Sequence, residues 1–291
     1  MKAPFQLYGI FGYPLGHTLS PRMQEAAFEA SGIKAYYLVL ELDRSHFHKL
    51  MKGISRLLLN GFNVTVPYKG EILPYLDGLS PEAKAVKAVN TVYRSGSRWV
   101  GTNTDIYGFL TSLRHDGRFN PRGKKVLVLG AGGSARAVVY GLAKQGAREI
   151  QMAARRPLRA RAIIRDFKKS FRKTTFEAFT LKQNDLKKAL QNADLVVNTT
   201  SVGLDPRDRS LIPVSVIPPA NRGRKILFFD LIYHRPTEFL KNAGRKGHSA
   251  VGGLGMLLFQ GARAFEYWTG KKAPVTVMRK ALTLSLRTPK G

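Results

Sequence analysis

The feature that most constrains this chain is an apolar run, Lys125-Val126-Leu127-Val128-Leu129, that meets a glycine-rich turn, Gly130-Ala131-Gly132-Gly133-Ser134-Ala135. An alanine-rich stretch follows and stops at Gly146. A short Val/Leu run bounded by glycine suits a buried strand, and the stretch behind it suits a helix. A second strand is expected at Glu149 to Ala153, which completes a βαβ unit. Glycines are needed in such a turn where a phosphate must approach the backbone, because Cβ atoms would block it. The helix N-terminus behind the turn then offers free N–H groups and a favourable dipole. Ala135 stands at the third glycine of the usual spacing. These six turn residues are the expected cradle of a dinucleotide, on a Rossmann-like fold.

The end of the second strand selects which dinucleotide. Sites that prefer NAD carry an Asp or Glu there, roughly 20 residues on, for the ribose 2′-hydroxyl. This chain reads Ala153-Ala154-Arg155-Arg156-Pro157-Leu158-Arg159, with no carboxylate. A helix beginning near Pro157 lets Arg155 and Arg159 reach one phosphate, with Arg156 beside them. A guanidinium fork suits a 2′-phosphate, so NADP is the expected cofactor.

Upstream, strand-like and helix-like stretches alternate. Strands are expected at Gln6 to Gly12, Ala35 to Leu42 and Leu57 to Val66. One helix is expected from Ser20, with Ser20 as N-cap, Pro21 at the first helical position and Ser31-Gly32 as the stop. Another runs through Phe47 to Lys52. Such alternation favours a mostly parallel sheet with helices packed on it. A further helix begins near Thr104, with Ile106, Phe109, Leu110 and Leu113 on one apolar stripe, and ends at His115-Asp116-Gly117. Later strands are expected at Asp194 to Asn198, Lys225 to Asp230 and Ala250-Val251, and a last helix from about Leu254 to Trp268. The expected fold class is α/β in two domains, over residues 1–117 and 118–250, with C-terminal helices over 251–291 returning to the first.

The chain of 291 residues is long enough for two cores of ordinary size. It has no cysteine and no metal-binding pattern, so neither disulfides nor a metal site are expected. No run reaches the roughly 18 apolar residues of a membrane span, and the N-terminal residues lack a signal-peptide pattern. A cytoplasmic protein, monomeric or homodimeric, is expected. The charge is unusual: 48 Lys and Arg against 19 Asp and Glu, a formal +29. Its densest stretch runs from Arg155 to Lys173, opposed only by Asp166. No zinc-finger spacing, RNA-reading aromatic motif or basic zipper accompanies it. Non-specific attraction of polyanions at low salt is expected, and specific nucleic-acid recognition is not.

Two short polar segments bear the chemistry. Asn63-Val64-Thr65-Val66-Pro67-Tyr68-Lys69 offers an amine, and Gly101-Thr102-Asn103-Thr104-Asp105 offers a carboxylate. Pro67 suggests a helix start, which would set Lys69 against an unfavourable dipole and lower its pKa. A proton-handling pair beside a hydride carrier is what reversible carbonyl reduction needs.

Taken together, the segments resemble the shikimate dehydrogenase family over nearly the whole chain. The resemblance rests on Gly12-Tyr13-Pro14-Leu15-Gly16-His17-Thr18-Leu19-Ser20-Pro21, the Asn63 to Lys69 segment, Ala88-Val89-Asn90-Thr91, and Gly101 to Asp105 with Gly108. It continues in Gly130 to Ala137, Asn198-Thr199-Thr200-Ser201-Val202-Gly203, Asp230 to Tyr233 and Gly253 to Gly270. It implies NADPH-dependent reduction of 3-dehydroshikimate to shikimate, with a quinate/shikimate enzyme of relaxed specificity as the alternative. It makes Lys69 and Asp105 the catalytic pair, and it lines the substrate pocket with Thr18, Ser20, Asn63, Thr65, Asn90, Tyr233 and Gln260. Thr199 and Gly253 join the cofactor residues by the same route.

Four departures stand out. Thr18 replaces a usual serine, Lys87 a usual glycine, and Ala154 a usual asparagine. His234-Arg235-Pro236-Thr237 is out of register with the usual Tyr-Asn-Pro-x-x-Thr.

Overall fold

A computed structural model describes residues 5–16, 18–221 and 224–287. His17 of the N-terminal motif lies outside the described residues. The chain forms two compact units, Met1–Gly108 with Leu257–Gly291, and Phe109–Met256. The sequence boundary at 117 marks a helix end. The contacts divide the chain inside that helix instead.

In the first unit β1 (Gln6–Gly12), α1 (Ser20–Ala30), β2 (Ala35–Glu41), α2 (Arg44–Met51) and β3 (Gly61–Val64) alternate as expected. β4 (Gly78–Leu79), α3 (Pro81–Val86), β5 (Thr91–Ser95) and β6 (Arg98–Thr102) follow, then α4 (Asp105–His115). The sheet order is β2-β1-β3-β5-β6-β4. β5 runs antiparallel to both β3 and β6, and the remaining pairings are parallel. The β5–β6 hairpin turns at Gly96, whose φ is +62°, a conformation that glycine adopts freely.

Two local expectations are corrected. β3 is confined to Gly61–Val64, because a 3₁₀ turn at Ile54–Arg56 precedes it and hydrogen-bonded turns follow it. No α-helix begins at Pro67: residues 66–72 form turns and lead into a 3₁₀ helix at Leu73–Tyr75. The helix-dipole argument for Lys69 therefore falls away.

In the second unit β7 (Lys125–Leu129), α5 (Gly133–Lys144) and β8 (Glu149–Ala153) form the βαβ unit. α6 (Pro157–Lys168), β9 (Thr175–Phe179), α7 (Gln183–Asn192), β10 (Leu195–Asn198), β11 (Leu227–Asp230), α8 (Glu238–Arg245) and β12 (Ser249–Val251) follow. The sheet order β12-β11-β10-β7-β8-β9 is parallel throughout. Both faces of a parallel sheet are covered, and Leu127, Leu129, Val196 and Phe228 are accordingly fully buried.

α9 (Leu254–Thr269) and α10 (Val275–Arg287) end the chain, and residues from Leu257 onward belong to the first unit. There Trp268 lies over Gly61, where any Cβ would run into the indole, and its Nε1 donates to Val92 O at 2.9 Å. The glycine is thus a notch for the tryptophan. α10 lies beyond the helix expected from Leu254 to Trp268 and within the C-terminal helices expected over 251–291.

Candidate active site

Topology brings the two polar segments together. Because β5 is antiparallel to β3 and β6, its first residue lies beside the ends of both: Thr91 pairs with Asn63 and with Thr102. The turns after β3, the approach to β5 and the start of α4 therefore share one end of the sheet. Lys69, Asn90 and Asp105 project from these three places.

Lys69 Nζ lies 2.6 Å from Asp105 Oδ2, and both side chains are almost fully buried. Asn90 holds the other carboxylate oxygen, its Nδ2 donating to Asp105 Oδ1 at 2.8 Å. The same amide reaches Gln260 Oε1 at 3.3 Å, and Asn90 Oδ1 accepts from the Thr104 backbone N–H at 2.7 Å. Asn63 donates to Asn90 O and Thr91 Oγ1, both at 3.0 Å, and accepts from the Tyr37 hydroxyl at 2.7 Å. A buried cation and carboxylate need such company, since each is costly to desolvate alone.

The remaining substrate candidates are less tightly tied. Ser20 is the first residue of α1 rather than its N-cap: Leu19 occupies the cap position without a side-chain bond, and Thr18 Oγ1 accepts from the Ser20 N–H at 3.3 Å. Thr65 packs its methyl against Gly12. Tyr233 belongs to the second unit, half-buried and edge-on to His234.

The second unit carries the dinucleotide candidates. Gly130 has φ +107°, and a Cβ there would meet Thr199 Oγ1 at 2.7 Å. Thr199 donates that hydroxyl to Leu129 O at 2.6 Å, so it fastens the turn to β7. Gly132 caps α5 without a side-chain acceptor, and a Cβ built on it meets nothing within 4 Å. Ala131 and Gly133 line the same turn, and Ala135 is buried behind it. Open space over the cap, with the helix N-terminus beneath, is the room a pyrophosphate requires. Arg155, Arg156 and Arg159 are exposed at the start of α6. α6 is joined to α5 by a short Arg136–Asp166 ion pair, so the one acid of the basic stretch is already occupied. Gly253 has no room for a side chain, because a Cβ would strike Leu231 O.

The structure also accounts for two departures. Lys87 has φ +50° and ψ +40°, a left-handed conformation that explains why glycine is usual there. Thr237, arriving early after Tyr233, caps α8 and donates to Asp230 Oδ2 at 2.5 Å. Asp230 is fully buried and accepts also from Asn198 Nδ2 and Ile232 N, while burial pushes its carboxyl up to about 6.

Tyr37, Thr91 and Thr104 belong to the network and were missed by sequence reasoning. Thr91 and Thr104 sit inside quoted motifs, but Tyr37 in β2 carries no local signal. Among the described residues, no cluster of three or more His, Cys, Asp or Glu is placed to hold a metal ion, and no helix is long and apolar enough to cross a membrane.

A parallel sheet with an open glycine turn, together with a buried lysine–aspartate pair, defines a two-unit dinucleotide-dependent oxidoreductase. Three family models match: the shikimate dehydrogenase substrate binding domain over residues 10–92, shikimate / quinate 5-dehydrogenase over 115–238, and the shikimate 5'-dehydrogenase C-terminal domain over 253–283. The chain is 39% identical to shikimate dehydrogenase (NADP(+)) of Geobacter metallireducens, over 97% of each protein. It resembles the crystal structure of shikimate 5-dehydrogenase from Thermus thermophilus in complex with NADP(H) and shikimate, with TM-score 0.82, 34% identity, and coverage of 97% of this chain and all of that one. It also resembles quinate dehydrogenase from Corynebacterium glutamicum in complex with NAD, with TM-score 0.83, 29% identity, and coverage of 97% and 99%. The chain belongs to the shikimate dehydrogenase family.

Proposed function

We propose that this chain catalyses the reversible reduction of 3-dehydroshikimate to shikimate with NADPH, a step toward chorismate and the aromatic amino acids. The observation that carries this reading is the buried Lys69–Asp105 pair, 2.6 Å apart and held from the far side by Asn90. Bound NADPH supplies the hydride. Lys69 Nζ gives its proton to the oxygen of the C3 carbonyl, so carbonyl, hydride and proton together make the secondary alcohol. Asp105 Oδ2 keeps the ammonium aimed at that oxygen and balances its charge. Positioned proton transfer of this kind is worth roughly 10²–10⁴-fold.

Thr18, Ser20, Asn63, Thr65, Asn90, Tyr233 and Gln260 are the groups we assign to the substrate. A polyhydroxylated carboxylate needs many hydroxyl and amide partners, and a polar group left unmet in a closed site is costly. The cofactor's pyrophosphate is assigned to the turn from Gly130 to Ala135, supported by Thr199 and Gly253. Its 2′-phosphate is assigned to Arg155, Arg156 and Arg159. In domain terms, the unit of residues 1–108 with 257–291 supplies every one of these substrate groups except Tyr233, and the unit of residues 109–256 supplies the NADP groups. A cytoplasmic enzyme, monomeric or homodimeric and without a specific nucleic-acid partner, completes the proposal.

The test is nicotinamide absorbance with shikimate and quinate, each against NADP⁺ and NAD⁺. Turnover confined to shikimate with NADP⁺ is expected. Comparable turnover of quinate would move the reading to a relaxed quinate/shikimate enzyme, the alternative favoured by threonine at position 18. Absence of turnover with every pair would refute it.

A further inference from the structure

The buried network does not end at the catalytic pair. Running away from Lys69, it passes through Asp105, Asn90 and Asn63 and reaches the hydroxyl of Tyr37, in β2. Tyr37 is only 4% exposed, and its ring lies 6.1 Å from that of Trp268, the residue seated in the Gly61 notch. The phenol is therefore fixed by packing and aimed at one acceptor. Burial raises its pKa well above the ordinary tyrosine value, so it stays a donor at any pH the protein meets, and Ser20's side chain is a hydrogen-bonding neighbour of the same hydroxyl.

Asn63 is the group on which this acts. Its amide hydrogens are taken by Asn90 O and Thr91 Oγ1, and one lone pair of Oδ1 is taken by Tyr37. One acceptor site on Oδ1 remains. We propose that Tyr37 is a positioning residue that locks the Asn63 carboxamide, so that Asn63 presents an acceptor, and never a donor, to a hydroxyl of the bound substrate. The inference rests on the assignment of Asn63 and Ser20 to the substrate made above.

The test compares Tyr37→Phe with Tyr8→Phe. Tyr8 is an equally buried sheet tyrosine beside Trp268, and its hydroxyl donates to Gln6 Oε1 at 2.7 Å, away from the network. Removing one buried hydrogen bond that orders a ligand contact raises KM by about tenfold. Tyr37→Phe is expected to raise the KM for shikimate by that factor while kcat stays within about threefold, a split that loss of fold stability alone does not produce. Tyr8→Phe should leave both unchanged. Tyr37→Phe combined with Asn63→Ala should raise KM no further than Asn63→Ala alone, because the two act as one unit. An unchanged KM in Tyr37→Phe, or effects that multiply, would overturn the proposal.

A second readout does not depend on the substrate. The Asn63 side-chain amide signals in a ¹⁵N spectrum, assigned by their loss in Asn63→Ala, should be protected in the parent protein. They should exchange faster in Tyr37→Phe and not in Tyr8→Phe. Signals indifferent to Tyr37→Phe would overturn the lock, whereas a parent protein that ignores shikimate would overturn only the substrate reading.

Discussion

Lys69 and Asp105 in the first unit are buried and already paired, whereas Arg155, Arg156 and Arg159 in the second stand exposed with no ion-pair partner among the described residues. The first arrangement meets the cost of desolvation on folding, with Asn90 donating to the second carboxylate oxygen. The second leaves its charges in water, where the phosphate proposed for them would have to meet them. Groups that move protons must be held in place before reaction, while groups that only bind phosphate can be recruited by it. The contrast predicts that substitutions in the two units will differ in which kinetic constant they move.

The largest effect is expected from Lys69→Met, which keeps the aliphatic stem and removes the ammonium. It should lower kcat by about 10²–10⁴-fold with KM for shikimate changed only a few-fold. Steady-state kinetics measures both. A raised KM with intact kcat would make Lys69 a binder and erase the contrast. Arg155→Ala with Arg159→Ala comes next: KM for NADP⁺ should rise about tenfold or more, with kcat and melting temperature nearly unchanged. Added salt should weaken NADP⁺ binding to the parent protein and have less effect on the double variant. Equal sensitivity to salt in both would mean that these arginines belong to the general basic surface.

The two regions also differed in how far they could be read from sequence. The glycine turn is local: strand, glycines and helix follow one another, and β7 and β8 fall at their expected bounds, Lys125–Leu129 and Glu149–Ala153. The lysine–aspartate site joins residues 36 apart through an antiparallel hairpin that alternation did not reveal. Residue chemistry and family resemblance brought Lys69 and Asp105 into view, but the supporting reason, a helix start at Pro67, was mistaken. Turn signals such as proline before a polar run do not separate a helix N-terminus from a chain of turns. Tyr37 was invisible because its partner, Asn63, lies 26 residues away in another strand.

Asp230 extends the comparison to a second buried carboxylate. Asp105 faces a cation, but Asp230 faces only neutral donors, Asn198, Ile232 and Thr237, and its pKa rises from 3.8 to about 6. A carboxyl with a raised folded-state pKa holds its proton more tightly folded than unfolded. Its contribution to stability is therefore fullest below about pH 4, falls as pH rises toward about 6, and is constant above. Asp230→Asn abolishes that titration. Measured by urea unfolding, the stability of the variant relative to the parent should shift in its favour by about 2–3 kcal/mol at most between pH 4 and 7. A pH-independent difference would show that the hydrogen bonds fully offset burial.

The smallest expected effect tests how much strain the first unit tolerates beside its paired charges. Lys87 sits in the left-handed region at the end of α3, and Val89, two residues on, donates its N–H to Lys69 O at 2.7 Å. The strained residue thus lies in the segment that ties the Lys69 turn to Asn90. An L-residue there costs about 1 kcal/mol relative to glycine, offset in part by the lower entropy of a lysine in the unfolded chain. Lys87→Gly should therefore stabilise the protein by no more than about 0.6 kcal/mol and leave kcat unchanged. If it lowered kcat instead, the lysine side chain would be helping to hold the turn, and the paired site would depend on support that reaches beyond its hydrogen-bonded neighbours.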